Sequence, residues 1–478
     1  MPPIPQLPPL TLFIIGVYLL AFYCIWRILL SYRSSQGALT WILALLAFPF
    51  IALIAYFLIG RPRLQGYSLA RQVNDRYFSQ LVGDLRRNES PVTSQSPDNA
   101  PELQAMVALT RLPFSTGNHC ELLKNGQRTF ESLFEAIAQA EHYILLTFYI
   151  VRHDGVGQRL REALEAKLAE GVRVYFIYDD IGSALLSYRY LRALRRAGAQ
   201  VVPFSWGRGW RYFELNFRNH RKLLVCDGRT GFLGGINLGD EYMGPPASEW
   251  RDTHCRIEGP AVMALQLTFM EDWFWATGER PPLKWQPHYP AGPPGSGDAA
   301  LILPTGPADE LDTGALYFLN CIQGARYRLW IASPYFVPGG TILSALQLAA
   351  LRGVDVRIII PDKADNWLIG LAAYSYLVQA DRTGIGIYRY QPGFMHQKVA
   401  LVDDRYAAVG TTNLDNRSMT LNFEIMALVA SPRFVQEVEI MLRDDLRHCQ
   451  RLNAVDYQNR SVFFRLASRS ARLVGPLL

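Results

Sequence analysis

The chain has 478 residues, 50% of them hydrophobic and 19% charged, with a formal net charge of +6. That length suits two domains plus a further element, and the composition excludes a disordered majority. The modest positive excess fits an anionic lipid surface or another polyanion and does not choose between them.

The apolar surplus lies at the front. From Leu10 to Leu30 the chain is apolar apart from Arg27, and from Ala38 to Ile59 it carries no charge. At about 1.5 Å per helical residue each stretch reaches about 30 Å, the thickness of a bilayer core. Tyr18, Tyr23, Trp26, Trp41 and Tyr56 suit interfacial anchoring, and Pro49 is tolerated in a membrane helix that has neighbours. With a tight connection from Ser31 to Gly37, residues 1–60 are predicted to form a two-helix transmembrane hairpin with both ends on one side. No basic residue precedes the first apolar run and a second run follows, which argues against a secretory signal peptide. Arg27 and Arg33 lie at the loop, whereas Arg61, Arg63, Arg71 and Arg76 follow the second span, so the positive-inside rule puts the body in the cytoplasm. Cys24, Cys120, Cys226, Cys255, Cys321 and Cys449 are scattered without a Cys-x-x-Cys pair and read as reduced thiols with no zinc site.

Residues 61–104 read as a linker, with the polar, proline-bearing stretch Asn88 to Pro101 at its end, and Pro287 to Asp298 marks a second break. The intervening domains are assigned to 105–288 and 299–458. In the first, a helix over Thr129–Ala140 precedes the strand HYILLTFYIV, a helix through Leu160–Leu168, the strand VRVYFIYDD, the helix YRYLRALRRAG and the strand AQVVPF. The second repeats that order: a helix before Gly324, RLWIASPYFV, a helix through Leu343–Leu351, VDVRIIIPD, a helix near Leu368–Ala380, and IGIYRY. Such alternation implies two similar α/β domains with mixed, mainly parallel sheets, packed so that equivalent sites face each other. The stretch SWGRGWRYF (Ser205–Phe213) reads either as a surface loop or as a lipid-facing rim, and the tail 459–478 either as an amphipathic membrane-surface segment or as a helix packed on the body.

Two copies of one signature carry the chemistry. His-x-Lys-x4-Asp-x6-Gly-x2-Asn occurs as His220, Lys222, Asp227, Gly234, Asn237 and again as His396, Lys398, Asp403, Gly410, Asn413. In HRKLLVCD and HQKVALVD the histidine and lysine are two apart, on one face of a strand, while Leu223, Val225, Val399 and Leu401 point to the other face. Asp227 and Asp403 fall where the strand turns and read as structural carboxylates that fix the turn and balance lysine charge. Asn237 and Asn413 supply amides able to donate to phosphate oxygens. His119, His142, His153, His254, His288 and His448 have no such company and are given no catalytic role.

A phosphodiester resists attack because its oxygens are anionic and its leaving alkoxide is poor. A neutral imidazole can attack phosphorus, fixed cations and donors (Lys222, Lys398, Asn237, Asn413) can stabilise the equatorial oxygens, and a second, protonated imidazole can serve the leaving alcohol. Each imidazole needs an orienting acid; Asp252 in EWRDTH and Glu424 in LNFEI hold comparable places after the two signatures. No metal or cofactor is required, since two lysines supply the positive charge.

These signatures resemble the paired HKD motifs of the phospholipase D superfamily. More narrowly, the order of hairpin, linker and two HKD halves is similar to the bacterial cardiolipin synthases of the phospholipase D type, supported by GRPRLQG, YDDIGS, NFRNHRK, SPYFVP and NLDNRSMTLNFE. The resemblance implies phosphatidyl transfer through a phosphohistidine: one phosphatidylglycerol donates, glycerol leaves, and a hydroxyl of a second phosphatidylglycerol accepts. Carried over by motif, it makes His220 the nucleophile and His396 the general acid/base. Gly235 departs from the serine common in the superfamily, while Thr411 keeps a hydroxyl in the second half.

Four alternatives stand beside this one. A hydrolytic phospholipase D would let water attack the same intermediate, giving phosphatidic acid, and a different alcohol could serve as acceptor. A nuclease needs no membrane spans, and no long Lys/Arg stripe marks a nucleic-acid track. A non-catalytic scaffold would not be expected to keep both signatures intact. Oligomeric state is not legible in the sequence.

Overall fold

The computed structural model describes residues 8–31, 35–60, 67, 92–93, 100–110, 112–205, 216–244, 250–283, 297–473 and 475. They fall into two compact units, a small one within Met1–Ser68 and a large one that holds both sheets. Arg33, Arg61, Arg63, Arg71 and Arg76, the aromatic stretch from Trp206 to Phe213, His288 and most of the two expected breaks lie outside the described residues.

In the small unit, helices α1 (Pro9–Ser31), α2 (Ser35–Ala47) and α3 (Pro49–Ile59) follow the two apolar runs. Among the described residues α1 alone is long and apolar enough to cross a membrane. The second run departs from the expected single rod. The chain leaves helical geometry at Phe48 (φ −138°, ψ 57°), and Pro49 opens α3, where its missing N–H is no loss. Trp41 and Tyr56 would stand about 22 Å apart along one straight helix; their ring centroids are 5.5 Å apart, so the two arms bend toward each other. Ala21, Cys24 and Ile28 of α1 pack into a common cluster with Leu45, Ala52 and Leu53. In the expected linker, the described portion already turns helical at Pro101–Thr110.

The first half of the large unit contains β1 (Phe114–Lys124), β2 (Tyr143–Phe148), β3 (Arg173–Tyr178), β4 (Gln200–Pro203), β5 (Leu223–Cys226), β6 (Thr230–Gly234) and β7 (Thr253–Glu258). Their spatial order is β4-β3-β2-β5-β6-β7-β1, parallel through β4, β3 and β2 and antiparallel beyond. Every residue of β2 is buried, as in a strand covered on both faces. Helices α4 (Asn125–Gln139), α5 (Gly155–Ala169), α6 (Tyr188–Arg196) and α7 (Val262–Thr277) provide that cover. Phe130, Leu160 and Leu191 share one core with Ile144, Leu146, Val174 and Phe176. Tyr175, which strand alternation turns to the other face, meets Trp273 of α7 edge-on at 5.2 Å.

The second half repeats the plan with β8 (Asp298–Thr305), β9 (Arg328–Ala332), β10 (Asp355–Pro361), β11 (Gly386–Tyr390), β12 (Val399–Val402), β13 (Tyr406–Gly410) and β14 (Asn422–Ala430). The order β11-β10-β9-β12-β13-β14-β8 matches the first sheet strand for strand. Its helices are α8 (Thr313–Gly324), α9 (Gly339–Leu351), α10 (Trp367–Asp381), α11 (Pro432–Arg447) and α12 (Val462–Leu473). Pairing of β8 with β1, as at Ala300 and Ser115, joins the halves, and the tail helix α12 packs on α10, where Ser468 donates to the Leu371 carbonyl at 2.7 Å.

Candidate active site

Each signature histidine is placed by a strand from the opposite half. The two-residue strand Arg218–Asn219 runs parallel to the start of β14, pairing Asn219 with Phe423, and Phe394–Met395 pairs in the same way with Trp250–Arg251. His220 then donates its backbone N–H to the Phe423 carbonyl at 2.9 Å, and His396 donates to the Arg251 carbonyl at 2.8 Å. One residue further along each partner strand stands an acid. Glu424 therefore meets Nδ1 of His220 at 2.8 and 3.0 Å, and Asp252 meets Nδ1 of His396 at 2.7 Å. The orienting contacts thus cross between the halves, a pairing that the sequence reading left open.

With Nδ1 held by a carboxylate, Nε2 is the end of each ring left for chemistry. Burial pushes His220 down to about 4, against the pull of Glu424. His396 is also held well below its ordinary value, by burial and then by the charges of Lys398, Lys222 and His220. Burial raises Asp252 to about 6, whereas in Glu424 the pull of His220 and Lys222 outweighs burial and keeps the carboxyl low. Both lysines are buried and turn back on their own strands: Lys222 Nζ donates to the His220 carbonyl at 2.8 Å, and Lys398 Nζ donates to that of His396. Burial and then repulsion from Lys398 depress Lys222, and burial brings Lys398 down to about 8. Two lysines, two neutral imidazoles and the carboxylates of Glu424 and Asp252 are buried together, each able to act on the others' titration.

Asp227 and Asp403 stand at the far end of the signature strands. Both adopt left-handed backbone (φ 55° and 50°), which aspartate tolerates. The Asp227 carboxylate accepts the N–H groups of Glu141, His142 and Tyr143, and that of Asp403 accepts those of Arg326, Tyr327 and Arg328. They clamp the start of β2 and β9, so the expectation that they balance lysine charge gives way: Glu424, Asp252 and Asp179 supply the carboxylates that act on Lys222. Asn237 spends its carbonyl on the Ile150 N–H (3.2 Å) and one amide hydrogen on the Tyr242 hydroxyl (3.1 Å), which in turn lies 3.2 Å from Nδ1 of His396. The Asn413 amide is hydrogen-bonded to Asp415, and its buried Oδ1 is without a partner.

Some functional residues were missed by sequence reasoning. Tyr149 lies edge-on to His220 at 4.9 Å, and Trp250 stands 5.1 Å from His396. Arg221, the residue between His220 and Lys222, is fully buried and bonds Asp272 (2.7 Å) and the carbonyls of Glu424 (3.0 Å) and Thr305 (3.2 Å). Its counterpart Gln397 bonds Asp445 at 2.7 Å. His254 is buried beside the site with neither ring nitrogen hydrogen-bonded, and burial takes it down to about 3.

Paired His-Lys strands facing across a pseudo-twofold, each imidazole backed by an acid from the other half, define a phosphodiester-transferring enzyme of the phospholipase D superfamily. Residues 133–273 and 318–446 match the family described as "Cardiolipin synthase, PLD-like domain", and residues 19–61 match "Phospholipase_D-nuclease N-terminal". The chain belongs to the phospholipase D-like cardiolipin synthase family. It is 42% identical over 475 residues to cardiolipin synthase A of Pseudomonas aeruginosa (strain LESB58), covering 98% of this chain and 96% of that one. Cardiolipin synthase A of Pseudomonas entomophila (strain L48) is 41% identical over 473 residues, 98% of each chain. The crystal structure of phosphatidylserine synthase from Haemophilus influenzae Rd KW20 shares the fold, with a TM-score of 0.62 over 79% of this chain and 100% of that one at 18% identity.

Proposed function

We propose that the chain joins two phosphatidylglycerol molecules into cardiolipin and releases glycerol. The observation that carries this reading is the crossed carboxylate contact at each Nδ1, which presents two Nε2 atoms beside two buried lysines. Nε2 of His220, neutral at pH 7, attacks the phosphorus of the donor lipid as the bond to the glycerol oxygen breaks. His396 gives its proton to that oxygen. In the second step a headgroup hydroxyl of another phosphatidylglycerol passes its proton to His396 and attacks phosphorus, so that cardiolipin leaves and His220 is restored.

An empty site keeps His396 unprotonated, chiefly through burial and then through the charges of Lys398 and Lys222. A bound phosphodiester brings negative charge that offsets Lys222 and Lys398, and so raises His396 toward the protonated form the first step needs. His220 is favoured as nucleophile because Glu424 is the more fully ionised of the two orienting acids. Asn237, Asn413 and the lysines hold the equatorial oxygens.

The two N-terminal apolar segments anchor the enzyme in a bacterial inner membrane as a multi-pass protein, α1 making one pass and the bent α2–α3 pair, packed against it, the other. Arginines after the second segment outnumber those at the loop, which supports a cytoplasmic body. Incubating the purified full-length protein in mixed micelles with phosphatidylglycerol alone tests the reading. Cardiolipin and glycerol in equal amounts are expected; phosphatidic acid as the sole product would mean a hydrolase.

A further inference from the structure

Helix α10 covers a cavity of about 320 Å³ in the second half, walled by Phe336, Ile360, Ile369, Leu371, Leu377 and Leu452. One wall is formed by the short strand that pairs beside Asn413. Phe336 pairs with Leu414, the residue after Asn413, and the neighbouring Tyr335 donates its hydroxyl to Asp365 at 2.9 Å. The charge of Asp365 in turn acts on Lys398. The lining carries little polarity: Arg389 is paired with Asp362 at 3.1 Å, which leaves Lys363 as its net positive charge.

The opposite flank leads outward. Leu371 and Tyr374, both lining residues, are the ones gripped by α12: Ser468 bonds the Leu371 carbonyl, and Phe464 meets the Tyr374 ring edge-on at 5.2 Å. Helix α12 is inverted relative to a helix docked by its apolar side. It turns small Ser468 and Ala471 inward and holds Val462 (67% exposed), Phe463 (84%), Leu466 (62%) and Leu473 (81%) outward. Arg465 and Arg469 stand on the same helix, and Trp367 at the start of α10 is 73% exposed. Bulky apolar groups among arginines suit an anionic bilayer surface.

We infer that the cavity under α10 is an acyl-chain site: it receives a fatty tail of the phospholipid whose phosphate lies between His220 and His396, with α12 seated on the bilayer at its outer flank. The inference rests on the proposed phosphatidylglycerol substrate. A lipid held by its phosphate at the histidines must lay its tails nearby, and an apolar wall continuous with Tyr335 offers them a dry path that a nucleotide or a sugar could not use.

The test uses the full-length protein in mixed micelles and phosphatidylglycerol with either six-carbon or eighteen-carbon chains. Filling the cavity by Ala373→Phe, or independently by Gly370→Leu, is expected to lower the ratio of long-chain to short-chain turnover roughly tenfold, since several buried methylenes lose their cover. An unchanged ratio in both variants overturns the inference. Because a variant can fail through misfolding, wild-type protein is also irradiated with phosphatidylglycerol carrying a diazirine near the acyl terminus. Adducts on the peptides that carry Leu371 to Leu377, Phe336, Ile360 or Leu452 support the site, and adducts confined to peptides without lining residues overturn it. Should wild type make no cardiolipin from either lipid, the substrate reading falls, while the adduct map still decides the cavity.

Discussion

His220 and Glu424 are 204 positions apart in the chain, yet Nδ1 of one lies 2.8 Å from a carboxylate oxygen of the other. The contact exists because Asn219 is in register with Phe423. Strand pairing between the halves therefore assembles the candidate site, and neither half holds a complete histidine-acid pair.

Replacing Glu424 by Gln keeps the size and removes the charge that orients His220. The expected result is a fall in kcat of about 10²- to 10⁴-fold, the range for general acid-base partners, with KM little changed. Trapping with phosphate-labelled lipid should show less phosphohistidine at early times. Unaltered burst kinetics would remove Glu424 from the nucleophile's support.

Burial with repulsion from Lys398 holds Lys222 well below its ordinary value, and burial brings the Lys398 ammonium down to about 8. Its ammonium form stabilises the bound phosphodiester, so kcat/KM in the wild type should decline as pH rises through about 8. The limb for kcat should lie higher, because the bound anion holds the proton on. Arginine stays charged across that range, and Lys398→Arg should abolish the alkaline limb even where its larger, planar guanidinium costs rate. A limb that persists unchanged in the variant would assign the titration elsewhere.

Arg221 and Asp272 form an ion pair in which neither side chain is exposed. Truncating one partner strands a buried charge, and Arg221→Met should cost about 3–5 kcal/mol in denaturant titrations. Adding Asp272→Leu should recover much of that loss, although the Glu424 and Thr305 carbonyls that Arg221 also serves stay without its donors. A double variant as unstable as the single one would mean that those carbonyl contacts dominate.

Much of this architecture was legible in the chain. The repeated strand-helix order and the two signatures carried the α/β fold, the duplicated halves and the family, because period-two apolar runs and fixed His-Lys spacing are local features. The partner of each histidine was not legible: Asp252 and Glu424 stood out as acids, but only the register of Asn219 with Phe423 and of Met395 with Arg251 decides which ring each one meets. The bend at Phe48 was hidden as well, since an uncharged run of the right length reads as one helix whether or not proline starts a new one inside it. Arg221 escaped notice because an arginine flanked by histidine and lysine looks like part of a solvated basic strand, and its acid lies on a distant helix.

Gly235 is where the two signatures differ in a way that geometry explains. A side chain added there would place Cβ about 2.1 Å from Asp252 Oδ1, so the acid that orients His396 occupies the space. At the equivalent place in the other half, Thr411 fits, its hydroxyl accepting the Ile425 N–H at 2.9 Å and adding to the hydrogen bonds that keep Glu424 ionised. Gly235→Ser should thus displace Asp252 and turn His396 out of line, lowering turnover at least tenfold, about 1.4 kcal/mol of lost orientation. Because the affected ring serves the leaving alcohol, loss should be greatest in formation of the phosphohistidine from phosphatidylglycerol and smaller with a lipid bearing a good leaving group such as p-nitrophenol. Equal losses on the two substrates would show that Gly235 supports the fold of the site and not the acid.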